Sequence, residues 1–224
     1  REAPDNPGIS ARLEELAKSQ KKLVEMVGLL TESASSTEDT DLAKRLWVKV
    51  AQLRDTELAD VEGSVAAYLR ALDLDEADAD VLLALETLYR RTGRWRDLIS
   101  VLRRKAAQVV DVHEREQVIG QMAAIHDEML GEPAEAIRIY SAALDEDATS
   151  AFALVALDRL YERQQMWLEL ADIVSRQLSL AEAEDARIGL MLRLGELREA
   201  RMNAPAAGVE IYREVLDRDP SWAP

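Results

Sequence analysis

The feature that most constrains this chain is an internal repeat of 72 residues. Leu85–Leu102, LETLYRRTGRWRDLISVL, returns as Leu157–Val174, LDRLYERQQMWLELADIV. Tyr89 falls on Tyr161, Trp95 on Trp167 and Leu98 on Leu170. The register extends in both directions: Leu13 with Leu85 and Leu157, Leu16 with Leu88 and Leu160, Tyr68 with Tyr140 and Tyr212, Leu53 with Ile125 and Leu197. Each unit divides again. Equivalent apolar positions at Leu13, Val50, Leu85, Met122, Leu157 and Leu194 are spaced by 37, 35, 37, 35 and 37 residues. Two kinds of segment therefore alternate, and each has room for one antiparallel helix pair. A single pair cannot bury its own apolar stripe, so neighbours must stack.

Composition agrees. Ala, Leu, Glu and Arg dominate a chain with 9 Gly and 6 Pro, and these are helix formers. Val and Ile are scattered rather than alternating, which disfavours a sheet. Apolar residues make up 48%, enough for a packed core. The formal net charge of −15 opposes binding to nucleic-acid phosphate or anionic lipid. Absence of cysteine removes disulfides, thiolate nucleophiles and zinc–sulfur sites, and is silent on compartment, with the cytoplasm as default. No apolar run approaches the roughly 20 residues of a membrane-spanning helix. Six Lys against 22 Arg, with much Ala, suggests a GC-rich bacterial source.

Six helix pairs are expected, at about 9–36, 40–74, 79–110, 113–145, 150–181 and 185–217, forming one repeat domain over residues 1–224. In the first pair a turn is expected near Ser19–Lys22. Ile9, Leu13, Leu16, Leu23, Val27 and Leu30 would also suit one long helix with a heptad seam, but the repeat register runs through the segment and favours the break. Gly93 is placed as a left-handed helix terminator, and Gly131 ends a later helix. Pro133, and Pro205 at the same repeat position, suit the first turn of a helix. Asp219-Pro220 stops the last one. Trp222 falls where a further helix would start. The chain opens at Arg1 on the second kind of pair and closes on the first, with neither end capped by polar residues, so a piece of a longer solenoid is expected.

These residues resemble the tetratricopeptide repeat. Leu85 with Tyr89, and Leu157 with Tyr161, match its first-helix apolar–aromatic pair. Leu194-Gly195 matches its Leu-Gly step, and Ala136, Tyr140 and Ala143 match its second-helix trio. Tyr68 with Ala71, and Gly208 with Tyr212, match in part, and Pro220 stands where the closing Pro belongs. Alternate pairs are degenerate: Glu86 and Asp158 replace the small residue of the first helix, Leu98 and Leu170 that of the second, and Leu102 and Val174 the second-helix aromatic. The resemblance implies an all-α, right-handed superhelical solenoid of about six antiparallel helix pairs. It also implies a protein or peptide partner held in a concave groove lined by the first helices. Candidate groove residues on that basis are Gln52, Asp55, Leu83, Thr87, Arg90, Asp127, Val155, Arg159, Glu162, Glu196 and Glu199. The Lys/Asn/Arg clamp of chaperone-tail-binding members is absent, since Val48, Gln52, Leu83 and Thr87 occupy its positions.

The sequence gives little support to catalysis, and neither a metal nor a cofactor is expected. His113-Glu114 begins like a zinc-protease HExxH, but Gln117 replaces the second His, and His126 is too far along to share a helix face. Acidic pairs such as Asp73/Asp75 and Asp145/Asp147 recur with the repeat, as turns and helix caps do. Asp73–Asp80 lacks the Gly and closing Glu of an EF-hand. The recurrent Tyr and Trp read as core wedges. One charge feature is not required by the repeat: a basic island of Arg90, Arg91, Arg94, Arg96, Arg103, Arg104 and Lys105, suited to a phosphate or an acidic peptide. The expected function is a non-catalytic binding scaffold. The rival readings are a spacer that associates with itself through its uncapped ends, and a regulatory region attached to a catalytic or signalling domain elsewhere in a longer protein.

Overall fold

A computed structural model of the chain describes residues 7–219, so Pro220 and Trp222 lie outside the described residues. The described residues form twelve α-helices and no strand. They are α1 (Pro7–Ser19), α2 (Leu23–Ser36), α3 (Thr40–Thr56), α4 (Val61–Leu74), α5 (Ala79–Thr92), α6 (Trp95–Gln108), α7 (Val112–Ala124), α8 (Pro133–Glu146), α9 (Ala151–Arg163), α10 (Trp167–Leu180), α11 (Glu184–Glu196) and α12 (Pro205–Arg218). Residues 9–36 are thus two helices broken at Gln20–Lys22. Short connections pack each helix mainly on its chain neighbours. The chain divides into two compact units, Arg1–Val118 and Ile119–Pro224, each treated by itself below.

Within each unit the buried residues are those that the repeat register superposes. Leu85, Leu98 and Leu102 are buried in the first unit; Leu157, Leu170 and Val174 take the same places in the second. At the α8–α9 junction, Leu144, Leu157 and Ile173 share a cluster with Ile137, Tyr140 and Tyr161. Tyr68 and Tyr89 are buried, whereas Tyr140, Tyr161, Tyr212, Trp95 and Trp167 are half-buried. Two of these rings carry a cation over their face: the Arg94 guanidinium lies 5.1 Å from the Tyr89 ring centre and that of Arg201 lies 5.0 Å from that of Trp167.

Helix ends repeat too. Asp78 caps α5 by accepting from the amides of Asp80 and Val81, and Ser150, 72 residues on, caps α9. Gly93 and Gly131 are left-handed, with φ of 68° and 66°. Their repeat equivalents adopt the same conformation without being glycine: Lys21 and Gln165 align with Gly93, Ala59 and Asn203 with Gly131. A left-handed non-glycine residue costs roughly 1–2 kcal/mol, so tertiary packing imposes this turn where sequence does not favour it. Helices α7 and α11 run on into a widened turn, Ile125–Met129 and Leu197–Arg201, with Leu130 N–H bonding to Ile125 and Met202 N–H to Leu197.

Small residues appear where helices of one pair approach closely. Ala51, Ala123 and Gly195 on first helices share a register, as do Ser64, Ala136 and Gly208 on second helices, and all six are buried. A Cβ on Gly195 would stand 2.5 Å from the Tyr212 ring, whereas one on Gly189 meets nothing within 4 Å. Gly189→Ala therefore gains helix propensity, up to about 1 kcal/mol. At Gly195 the same gain is opposed by overpacking of about 1–3 kcal/mol. Thermal denaturation should place Gly189→Ala above and Gly195→Ala below the wild type; the same sign for both would contradict this packing.

Candidate functional site

The first helices of each unit flank equivalent clefts. In the first unit Lys44, Arg45, Val48 and Gln52 of α3 face Asp80, Val81 and Ala84 of α5 across a cleft of about 280 Å3, with Asp78 at one end and Tyr68 as its floor. In the second, Ala124, Asp127 and Glu128 face Ala156, Arg159 and Arg163 across about 220 Å3, with Tyr140 beneath. Gln52 and Ala124, Tyr68 and Tyr140, and Ala84 and Ala156 are pairs at the 72-residue offset. Tyr68 and Tyr140 mark both clefts, and that recurrence was the sequence signal for Lys44, Asp78, Glu128 and Arg163, which sequence reasoning did not single out.

Ion pairs tie consecutive first helices together around these clefts. Arg91 bonds Asp55 in the first unit, and Arg163 bonds Asp127 at the same register in the second. The Tyr68 phenol is pushed above its ordinary value by burial and then by the Asp55 charge; Tyr140 is pushed up likewise, with Asp127 the first charge to act. Both therefore stay protonated at neutral pH. Lys44 donates to Asp75 at 2.8 Å and lies 2.9 Å from Asp78, which holds its ammonium well above the ordinary range. For Asp78, burial opposes ionisation, but Lys44 and the α5 amides outweigh it and hold the carboxyl below its usual value.

The degenerate first-helix positions have a physical role. Asp158 is buried, and Arg193 of α11 grips it with two hydrogen bonds, Nη1 to Oδ2 and Nη2 to Oδ1, each 2.7 Å. Hydrogen bonding to Asp158 is the main reason that Arg193 holds its proton more tightly than usual. Glu14, at the same register, pairs with Lys49 of α3, 144 residues before Arg193, and with Lys18. Those contacts outweigh burial and hold Glu14 below its ordinary value. Glu86 accepts from Arg90 at 3.0 Å and Lys105 at 3.3 Å. A charge-paired carboxylate thus replaces a small residue in every second pair.

The candidate groove residues divide accordingly. Asp55 and Asp127 are half-buried and spent on ion pairs. Glu162 lies 3.2 Å from Arg193, and Glu199 accepts from the Tyr212 hydroxyl at 3.1 Å. Arg90 is paired with Glu86. Gln52, Leu83, Thr87, Val155, Arg159 and Glu196 are exposed. Leu83 and Val155 share a register, so α5 and α9 each carry an exposed aliphatic side chain at that position. The basic island is not one patch. Arg91 reaches Asp55, Arg94 reaches Glu62 and Asp97, and Lys105 reaches Glu86. The exposed Arg96, Arg103 and Arg104 lie on α6, a second helix. His113 is exposed at the start of α7, whereas His126 is buried, its Nδ1 2.9 Å from Glu132 Oε2. Among the described residues no cluster of three or more His, Cys, Asp or Glu could hold a metal, and no helix is long and apolar enough to cross a membrane.

Residues 81–116, covering nearly all of α5, α6 and the start of α7, match the tetratricopeptide repeat family. The chain is a helical repeat protein, and its α5–α6 segment is similar to the tetratricopeptide repeat. No curated protein matches it. Among solved structures it is similar to the MamA protein at 18% identity and a TM-score of 0.41, over 79% of this chain and 92% of that one. YrrB, titled a TPR protein with an unusual peptide-binding site, aligns at 14% and 0.40 over 79% and 87%. Pseudomonas aeruginosa pilF aligns at 17% and 0.38 over 87% and 93%.

The Asp158–Arg193 pair gives a sharp test. Arg193→Met leaves a buried carboxylate without its cation and should cost about 3 kcal/mol or more in urea denaturation. Adding Asp158→Ala, which restores the family's small residue, should recover most of that loss. A double variant as unstable as the single one would show that the pair is not coupled.

Proposed function

We propose that this tetratricopeptide-like chain is a non-catalytic protein-interaction scaffold whose first-helix clefts receive an extended or helical segment of a partner. The observation that carries the reading is the recurrence of one recognition arrangement in both units. A tyrosine floors each cleft, charged side chains rim it, and an exposed aliphatic residue, Leu83 or Val155, stands on α5 or α9. Interior repeat positions that face a neighbouring helix are apolar and covered; these two are apolar and exposed. Such a surface suits a chain segment that inserts apolar side chains at intervals and pairs its polar groups with the rim.

The test is site-specific photocrosslinking in a source lysate, followed by direct binding of the captured partner. Crosslinkers at Gln52 and Leu83 should capture it, and crosslinkers at Arg104 and Arg176 on second helices should not. Leu83→Asp with Val155→Asp should weaken the purified complex by at least about tenfold without shifting the unfolding midpoint. Capture through second helices, or binding unchanged in that variant, would overturn the proposal in favour of a spacer that uses other surfaces.

A further inference from the structure

The connection between α6 and α7 departs from the repeat in its chemistry. Residues 109–112 read Val-Val-Asp-Val, where residues 37–40 read Thr-Glu-Asp-Thr and residues 181–184 read Ala-Glu-Ala-Glu. The backbone does not differ. Thr37, Val109 and Ala181 each leave their helix in extended conformation, with ψ of 139°, 123° and 123°, and each N–H bonds the carbonyl four residues back. Glu38, Val110 and Glu182, at the next position, are all exposed. Val110 is 95% exposed, and Val112 is 67% exposed. The repeat thus places a carboxylate at this position twice, and neither the turn nor the core requires an aliphatic side chain there.

Val110 does not stand alone. With Ala79, Leu82 and Leu83 of α5 it lines a cleft of about 390 Å3 that reaches Glu114 of α7. Leu83 is 57% exposed, and Leu82 is buried. Two aliphatic side chains, Leu83 and Val110, therefore stand open to solvent at one cleft. Its polar groups are unevenly spent. Lys105 is paired with Glu86, and Gln108 donates to the Glu76 carbonyl. Asp111 and Glu114 are exposed, and among the described residues neither has a cation as partner. Asp111 Oδ1 accepts from the Glu114 N–H at 2.8 Å, which caps the start of α7 and leaves its negative charge in place.

We propose that this cleft is the anchor point for a partner segment of defined chemistry: a bulky aliphatic side chain flanked by lysine or arginine. The aliphatic side chain seats between Leu83 and Val110, and the flanking cation pairs with Asp111 and Glu114. Charge complementarity selects this occupant. The open charges at the cleft are both negative, on a chain of net charge −15, so an acidic segment is repelled and a basic one is drawn in. The apolar pair then gives the segment its register, because a polar side chain seated there would lose its water without gaining a partner. This inference rests on the scaffold reading and names the kind of segment that the scaffold takes.

Fluorescence anisotropy of the full chain with pools of short degenerate peptides tests it. One pool fixes leucine between lysines, one fixes leucine between glutamates, and one fixes serine between lysines. The first should bind at least about tenfold more tightly than either of the others. Val110→Glu installs the residue that the repeat itself carries at Glu38 and Glu182, so circular dichroism and the unfolding midpoint should stay at their wild-type values. Its binding of the first pool should fall by at least about tenfold. Asp111→Asn with Glu114→Gln keeps the helix cap, and should erase the preference for lysine while keeping that for leucine. No binding of the first pool, serine peptides that bind as well as leucine ones, binding unchanged in Val110→Glu, or a lysine preference that survives the double variant would overturn the proposal. Crosslinking from Gln52 reports on the scaffold reading separately, so capture there alongside any of these results would strike the anchor site alone.

Discussion

A lone helix hairpin leaves one apolar flank in water, and the rest of this structure follows from covering that flank. Leu85 and Leu157 are fully buried because a helix of the preceding pair lies over each of them. Burying a leucine side chain contributes about 2 kcal/mol, which a pair on its own cannot collect. Each pair therefore depends on the next, and the same positions are apolar every 72 residues. Folding free energy in such an array is a sum over pairs and their junctions rather than a property of one central core.

The junctions are not all made alike. In pairs of the first kind, small residues let the helices approach, as at Gly195 beneath the Tyr212 ring. In pairs of the second kind, Glu14, Glu86 and Asp158 occupy the small-residue position and are held by cations. A buried carboxylate is costly alone and tolerable when gripped by two aligned hydrogen bonds, as Arg193 grips Asp158. The Asp55–Arg91 and Asp127–Arg163 pairs add a further register of links between first helices. The faces that rim the clefts are thus fixed by charge and underlain by packing, which suits a surface that must keep its shape.

Much of this was legible in the sequence. The 72-residue offset places the helix pairs, the Tyr and Trp wedges and the glycine-terminated turns, and the break at Gln20–Lys22 follows from it although no Gly or Pro marks it. The left-handed turns at Lys21, Ala59, Gln165 and Asn203 carry no consistent local signal; only their register with Gly93 and Gly131 betrays them. Glu86 and Asp158 look like decay of the family pattern because a pattern records residue types and not the cations that reach them from other helices. The basic island is likewise read from residue types along one stretch, whereas Asp55 and Glu62, which pair with Arg91 and Arg94, stand more than thirty residues away in the chain. Exposure of Leu13 and Leu216 is not written in their residue types, which equal those of their buried equivalents; only their place in the first and last pairs, which lack polar caps, marks them.

The measurement closest to the central claim compares one substitution at two copies of one repeat position. Leu157→Ala and Leu13→Ala remove the same atoms from the same register, one beneath a neighbouring pair and one exposed at an end. In urea denaturation at a dilution where the chain is monomeric, Leu157→Ala should cost about 3 kcal/mol and Leu13→Ala a small fraction of that. Equal losses at the two positions would contradict the account, because burial by the preceding pair would then not be what makes this register matter.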